Sequence, residues 1–485
     1  MANKKNSNKT YKEVEKTVKA AKKHPVAFAV VVVVLAAIIA IAAVLWFVKP
    51  EVFHKLLGTG EHTFTEWTET KAPTCGAKGE KQRECTVCGD KETEPIPATG
   101  KHTYDGDEVC TACGYDNTSI TGEEAGAANA ELSIHFLELG NKESGDSILI
   151  KCGDTEVLID AGSQQDSSAT AIKTYVDKYC TDNTLEYVIS THADTDHIAA
   201  FVGSKKGSTR SGILYQYDIG TFIKFDKSDK PLKTEKGNDS LYKTYLDAVE
   251  YIENKGTAVY TASQCYDQTD GAKRQYFLDD EQKISLNILY NYYYYNSSSD
   301  ENNYSVVTLL TEELASGKRH YLFTGDLEED GESRMVDYYN NPANSKSEYD
   351  VLPKVDLYKA GHHGSKTSST AKLLNKIQPK YVAVCCCCGA PQYTKENDNT
   401  FPTQQMIDNV GAYTDKIYVT TLATGLPSKD GSGNYTSRSY GGYASMNGTI
   451  VFYSSNGKLK LWCSNNDTIL KETAWFAENR VWSGL

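Results

Sequence analysis

The feature that most restricts this chain is Thr191-His192-Ala193-Asp194-Thr195-Asp196-His197, which directly follows the apolar run Leu185 to Ser190. Two imidazoles and two carboxylates fall within six residues at the end of an expected strand. Neutral imidazole and carboxylate are the ligands that divalent cations take. A loop at a strand end can aim several such side chains at one point. Thr324-Gly325-Asp326 follows a second apolar strand, His320 to Phe323, and Gly361-His362-His363-Gly364-Ser365 follows a third, Val355 to Lys359. A fold that gathers these three strand ends makes a metal centre of them.

Ahead of these segments lie three regions of different composition. Residues 1–25 are Lys-rich without apolar periodicity and read as a basic cytoplasmic tail. Residues 26–48 are an unbroken apolar run of 23, long enough to cross a bilayer as a helix. Eight Lys precede that run, so the positive-inside rule leaves the N-terminus in the cytoplasm and the rest of the chain outside the cell. A signal peptide competes, but its apolar core would be shorter and would end in small residues rather than Leu45-Trp46-Phe47. Residues 1–50 hold nine Lys and two Glu, so with a total of -13 the remainder carries about -20. A body this acidic repels polyanions at long range, which counts against a protein built to hold long nucleic acid.

Residues 60–115 read as a small Cys/His stalk. Cys85-Thr86-Val87-Cys88-Gly89 and Cys110-Thr111-Ala112-Cys113-Gly114 are two knuckles close to zinc-ribbon spacing. A partial repeat sets His62-Thr63 before Cys75, Cys85 and Cys88, and His102-Thr103 before Cys110 and Cys113. A mixed site from His62, Cys75, Cys85 and Cys88 therefore competes with an all-cysteine site from the two knuckles, one structural zinc in either case. Disulfides are the alternative staple outside the cell. The module also resembles short Cys/His repeats of anchored proteins of Gram-positive bacteria. Residues 116–130, including Thr118 to Ala130, are Gly/Ala/Glu-rich and read as a linker.

From residue 131 the pattern is strand, strand, helix, strand, an α/β order. Leu132 to Leu139, Ser147 to Cys152 and Glu156 to Ile159 read as strands, and Ala169 to Tyr179 and Leu241 to Asn254 as amphipathic helices. Ile284 to Tyr290 reads as a strand that Tyr292 to Tyr295 carry on. Ser305 to Leu310, Ile417 to Thr420 and Thr449 to Tyr453 are further strands. Tyr381 to Cys388 is a continuous buried strand whose four consecutive cysteines alternate between two faces, so they serve as small buried hydrophobes and not as one metal site. Residues 456–485 are set apart as a C-terminal extension.

Residues 131–455 resemble a metallo-β-lactamase-fold hydrolase, in the branch of the hydrolase domain of ComEC-type DNA-uptake proteins. The resemblance rests on Gly145-Asp146-Ser147, Leu158-Ile159-Asp160-Ala161-Gly162, the His192-x-Asp194-x-Asp196-His197 loop, Asn302-Asn303-Tyr304-Ser305, Thr324-Gly325-Asp326 and Gly361-His362-His363-Gly364-Ser365-Lys366-Thr367-Ser368. Only one apolar span is present, so the uptake role does not come with it.

What the resemblance implies is a four-layer αββα sandwich with two divalent ions, zinc or manganese, between its sheets. His192 and Asp194 would hold one ion, Asp196 and His197 the other, and Asp326 would bridge them. His362 or His363 would complete the ligand set of the second ion, Asp160 would orient the loop histidines from behind, and Ser365 and Lys366 would meet a substrate phosphate. Metal-activated water would then cut a phosphodiester, in nucleic acid or in a phosphate-bearing polymer, with Asp196 as the first residue to test. A catalytically lapsed surface-binding or sensing module is the competing class. Two departures stand out: no His lies between Ile198 and Arg319, and Phe401-Pro402 stands where the branch has His-Pro.

Overall fold

A computed structural model describes residues 62–75, 77–96, 98–99, 103, 110–112, 120–206, 209–344, 347 and 350–484. The basic tail, the apolar run 26–48, His102 and Cys113 lie outside the described residues. The chain divides into two units, one comprising residues up to Thr74 with Lys78–Ala98, the other Cys75–Ala77 with Thr99–Leu485.

The first unit is an antiparallel meander of β1 (Thr68–Lys71), β2 (Gly79–Glu84) and β3 (Lys91–Ile96). Its strands are largely exposed and their pairing is marked by charge. Lys81 faces Glu94 and Arg83 faces Glu92 across the β2–β3 register, at 2.8 and 2.6 Å. Directly opposed unlike charges favour that register by a few tenths of a kcal/mol, roughly 0.2–1 each.

The second unit begins with α1 (Glu124–Ala128), β4 (Leu132–Phe136), β5 (Ile148–Cys152), β6 (Thr155–Ile159), α2 (Ser167–Val176), β7 (Thr184–Ser190) and α3 (Thr195–Val202). A short ribbon, β8 (Lys205–Lys206) with β9 (Thr209–Arg210), leads to β10 (Asp218–Lys224), α4 (Leu241–Asn254), β11 (Ala258–Thr261) and α5 (Ala262–Asp267). There follow β12 (Gln275–Phe277), β13 (Ile284–Ile288), β14 (Thr308–Leu314), β15 (Gly317–Phe323), α6 (Glu329–Asn340), β16 (Leu357–Lys359), α7 (Ala371–Ile377) and β17 (Tyr381–Cys388). The chain ends with α8 (Gln404–Gly411), β18 (Ile417–Thr424), β19 (Gly442–Ser445), β20 (Ile450–Ser455), β21 (Lys458–Cys463) and α9 (Ala474–Asn479).

The strands form two eight-stranded mixed sheets, ordered β11-β10-β7-β6-β5-β4-β20-β21 and β12-β13-β14-β15-β16-β17-β18-β19. Their facing sides meet in an aromatic layer: Phe136 lies 6.3 Å from Phe323, and Phe452 lies 5.6 Å from Tyr381. Helices α2, α3 and α4 cover the outside of the first sheet, where Phe222 packs on Phe201 and Tyr245. Helices α6, α7 and α8 cover the second, burying Met335, Leu373 and Met406 against Leu322 and Val382. The alternation expected of β17 is present. Cys385 faces the inter-sheet core, while Cys386 and Cys388 face the helices.

Three expectations need correction. The linker is not free: Gly122 N donates to Leu461 O at 2.6 Å, and Ala127 is buried with Val451 and Tyr453. Its small residues are a packing surface, since a Cβ on Gly122 or Gly126 would stand 2.3 or 2.5 Å from the Tyr453 hydroxyl. Tyr292 to Tyr295 do not extend β13. Asn291 accepts from Tyr293 N at 3.0 Å and donates to Asn303 O and Ser305 O, which turns the chain at Tyr292–Tyr294. The extension, described over residues 456–484, is built into the sandwich, with β21 paired to β20 and Trp475 and Phe476 in the second core.

Candidate metal centre

The centre lies where β6, β7, β15 and β16 end. β6 and β7 run parallel, with Ile159 opposite Ile189, which sets Asp160 behind the His/Asp loop. Asp160 adopts a left-handed backbone at φ 59°. Its carboxylate accepts from Thr191 N (2.7 Å), the Thr191 hydroxyl (2.7 Å) and His197 Nδ1 (2.8 Å). Those bonds fix the loop and leave Nε2 of His197 to face inward. Asp194 caps α3 through its backbone, accepting from His197 N and Ile198 N, and its side chain is released from capping. That carboxylate instead meets the Lys230 ammonium and stands 3.6 Å from His192 Nε2.

Two glycines are dictated by close approach. A Cβ on Gly145 would fall 2.9 Å from Asp196 O, closing off the contact by which Asp146 N reaches the same carbonyl. Gly325, at φ 54°, would collide at 2.9 Å with both Ser305 and Thr191. His362 and His363 are both held left-handed, at φ 46° and 54°, a costly conformation that folds tolerate mainly at functional sites.

The donors converge. His197 Nε2 is 3.1 Å and His363 Nε2 is 3.2 Å from the same oxygen of Asp326, and His363 Nε2 is 3.4 Å from Asp196 Oδ2. One donor atom each from Asp146, His197, Asp326 and His363 lies within 4.8 Å of all the others. Ligands about 2.0–2.2 Å from a tetrahedral ion stand roughly 3.3–3.6 Å apart, the spacing seen here. Nε2 of His192, His197 and His363 are all buried without a hydrogen-bond partner, an expensive arrangement unless a cation takes the lone pairs. The residues present therefore fit a divalent metal.

The two His of the Gly-His-His-Gly-Ser element separate cleanly. His363 is buried, with Nδ1 donating to Cys385 O at 2.9 Å and Nε2 in the centre. His362 is half-buried and lines the cleft, its Nδ1 3.0 Å from both Glu328 Oε1 and Thr367 Oγ1. Its ring packs 5.8 Å from Phe401.

Lys359 and Asp146, unassigned from the sequence, sit at the base of the centre. Lys359, the last residue of β16, is wholly buried, with its ammonium 2.5 Å from Asp146 and 3.4 Å from Asp326. Burial would raise the Asp146 pKa, but the Lys359 charge and then His363 outweigh it and hold the acid ionised. Burial likewise opposes charge on His197 and His363. The Asp326 carboxylate, joined by Asp160 at His197 and Asp146 at His363, reverses it and raises both imidazoles well above the usual range. Asp194 is held down at about 2, against its burial, by His192 and Lys230. The geometry demands positive charge.

Above the centre opens a cleft of about 370 Å³, lined among others by Asp194, Asp196, Asp326, His362, Gln392 and Tyr393. Tyr393 donates to Asp196 Oδ2 at 2.6 Å. Neither Ser365 nor Lys366 lines this cleft. The Ser365 hydroxyl is 2.9 Å from that of Thr367, and Lys366 is exposed. His320 lies within β15 beside Thr311, at 3.1 Å.

Residues 140–256 match the family model of the metallo-beta-lactamase superfamily. This is a metallo-β-lactamase domain. A stretch of 67 residues is 33% identical to ComE operon protein 3 of Bacillus subtilis, covering 14% of this chain and 7% of that protein. The chain thus spans a small part of that relative. Similar solved structures include BJP-1, a subclass B3 metallo-β-lactamase of Bradyrhizobium japonicum (15% identity, 46% of this chain, 75% of that chain, TM-score 0.24). Another is the metallo-β-lactamase GOB-18 from Elizabethkingia meningoseptica (14%, 50%, 80%, TM-score 0.25).

The metallo-β-lactamase domain is not the only place where metal-type ligands meet. In the first unit His62, Cys85 and Cys88 bring one donor each within 4.8 Å, with Cys88 Sγ 3.5 Å from His62 Nδ1. The Cys88 backbone amide is the main influence lowering the Cys85 thiol to about 6. In the second unit Cys75 Sγ lies 3.7 Å from Cys110 Sγ.

Proposed function

We propose that the chain is a membrane-anchored, outward-facing hydrolase that cleaves phosphodiesters at a binuclear metal centre. The observation that carries this reading is the meeting of three buried, unpartnered imidazole Nε2 atoms with the Asp194, Asp196 and Asp326 carboxylates on an open cleft. Divalent ions held there supply Lewis acidity and acidify water. The chain's own residues do the positioning. Asp160 and the Cys385 carbonyl set the tautomers of His197 and His363, so each presents Nε2 to the centre. Lys359 balances Asp146 and Asp326 from behind. Tyr393 steers Asp196, and Glu328 turns His362 so that its other nitrogen is offered to substrate oxygen. The oxygen-rich ligand set, with Asp194 where an imidazole is the softer choice, suits phosphoryl oxygen and manganese or zinc. We also infer a structural zinc on His62, Cys85 and Cys88 in the stalk.

The test is hydrolysis of bis-(p-nitrophenyl) phosphate by the chelated chain after zinc or manganese is resupplied. Turnover should return with metal and be abolished by Asp196→Ala. Absence of turnover with either metal contradicts the reading.

A further inference from the structure

Resting on that phosphodiesterase reading, we infer that the substrate is a small molecule carrying one esterified phosphate, not a long nucleic acid or wall polymer. Four of the side chains lining the cleft are carboxylates, Glu143, Asp194, Asp196 and Asp326, and among the described residues no Lys or Arg lines it. The ammonium groups nearby are already engaged: Lys230 is on Asp194, and Lys359 is on Asp146 and Asp326. With Asp146 and Asp160 included, six carboxylates meet two ammonium groups around the centre. Two divalent ions would only cancel the difference. A centre holding two such ions would then be near neutral, the Arg438 guanidinium at the rim is taken up by the Gln392 carbonyl, and among the described residues no Lys or Arg lining the cleft remains for phosphates on either side.

Size and surface point the same way. A cleft of about 370 Å³ is at the lower end of small-ligand pockets, roughly 300–1,000 Å³. Outside the carboxylates its wall is neutral and polar, Ser163, Thr195, His362 and the Gln392 amide, with the Tyr393 ring, 43% exposed and 5.4 Å from Phe401, as its apolar part. Groups flanking the scissile phosphate meet hydroxyls, an imidazole, an amide and one ring, with no Lys or Arg among the lining residues described. Proteins that hold long nucleic acid do the reverse and track the backbone with Lys and Arg. The chain beyond residue 50, at about -20, adds repulsion across a Debye length of about 8–10 Å.

The experiment compares the metal-loaded full chain on thymidylyl-thymidine and on an oligothymidylate of roughly 20 nucleotides, between about 50 and 200 mM salt. Bis-(p-nitrophenyl) phosphate is the control, and anisotropy of fluorescein-labelled oligothymidylate reads binding apart from turnover. We expect kcat/KM per bond on the dinucleotide at least equal to that on the oligomer. Oligomer binding should be weak and should not fall as salt rises, and Glu143→Gln should tighten it. An oligomer preferred about tenfold or more at low salt, with binding that collapses at high salt, overturns the inference and leaves the phosphodiesterase reading intact. No turnover of any ester, the control included, overturns both.

Discussion

At the scale of single residues, the centre consists of groups that make sense only in each other's company. Asp160 binds no substrate, yet it holds both the loop and the His197 ring. Asp160→Asn should therefore lower metal affinity about 10- to 100-fold with the fold retained, read by competition with a chromogenic chelator. Lys359 carries the opposite risk. Replacing it with Met leaves Asp146 and Asp326 buried beside each other without their cation. The metal-free protein should lose roughly 3–5 kcal/mol of stability in urea, and added metal should restore part of it. An unchanged midpoint would show that Lys359 does not balance the pair. His192, Asp196 and Asp326 were readable because metal-type residues at strand ends are rare by chance. Lys359 and Tyr393 were not. A Lys closing an apolar strand looks like one reaching for solvent, and its burial depends on Asp146, far earlier in the chain. Tyr393 is one of 33 tyrosines, and only the folded loop brings it to Asp196.

At the scale of elements, periodicity located what packing later required. The ranges read for α4 and β17 are those observed, because each carries a long run of one period. The linker was misread because Gly and Ala signal flexibility unless a partner is known, and the partner, Tyr453, lies on β20. Gly122→Val should undock α1, detected as faster proteolysis within 120–130 while the sandwich stays resistant. Strand β4 offers a pH test. His135 is wholly buried, bonded to Ser133 Oγ at 2.7 Å and Tyr175 OH at 2.9 Å. Burial, helped by Lys151, lowers its pKa to about 3. Folding thus favours the neutral ring while the unfolded chain takes up a proton below about 6.5. Its contribution is complete above that pH and is lost as acid approaches pH 3, at up to roughly 1.4 kcal/mol per unit. Denaturation between pH 6.5 and 4 should be less steep in His135→Gln than in the parent, and equal slopes would argue against this.

At the scale of the whole molecule, two facing sheets bring together residues from 146 to 363, a distance in sequence that no local signal spans. The strand-end residues foretold a meeting; the strand order and the closing hairpin β20–β21 arise from long-range pairing. The apolar run 26–48 and the charge before it place the hydrolase outside the cell in our reading. A C-terminal alkaline phosphatase fusion should be active and a C-terminal green fluorescent fusion through the general secretion route dark, and the reverse result would put the domain inside. The most direct test of the central claim is the metal content of the chelated and reloaded chain beside its Asp326→Asn variant, both checked for folding by circular dichroism. The stalk contributes equally to both. The wild type should hold two divalent ions per chain more than the variant, and equal metal content in the two would contradict the account.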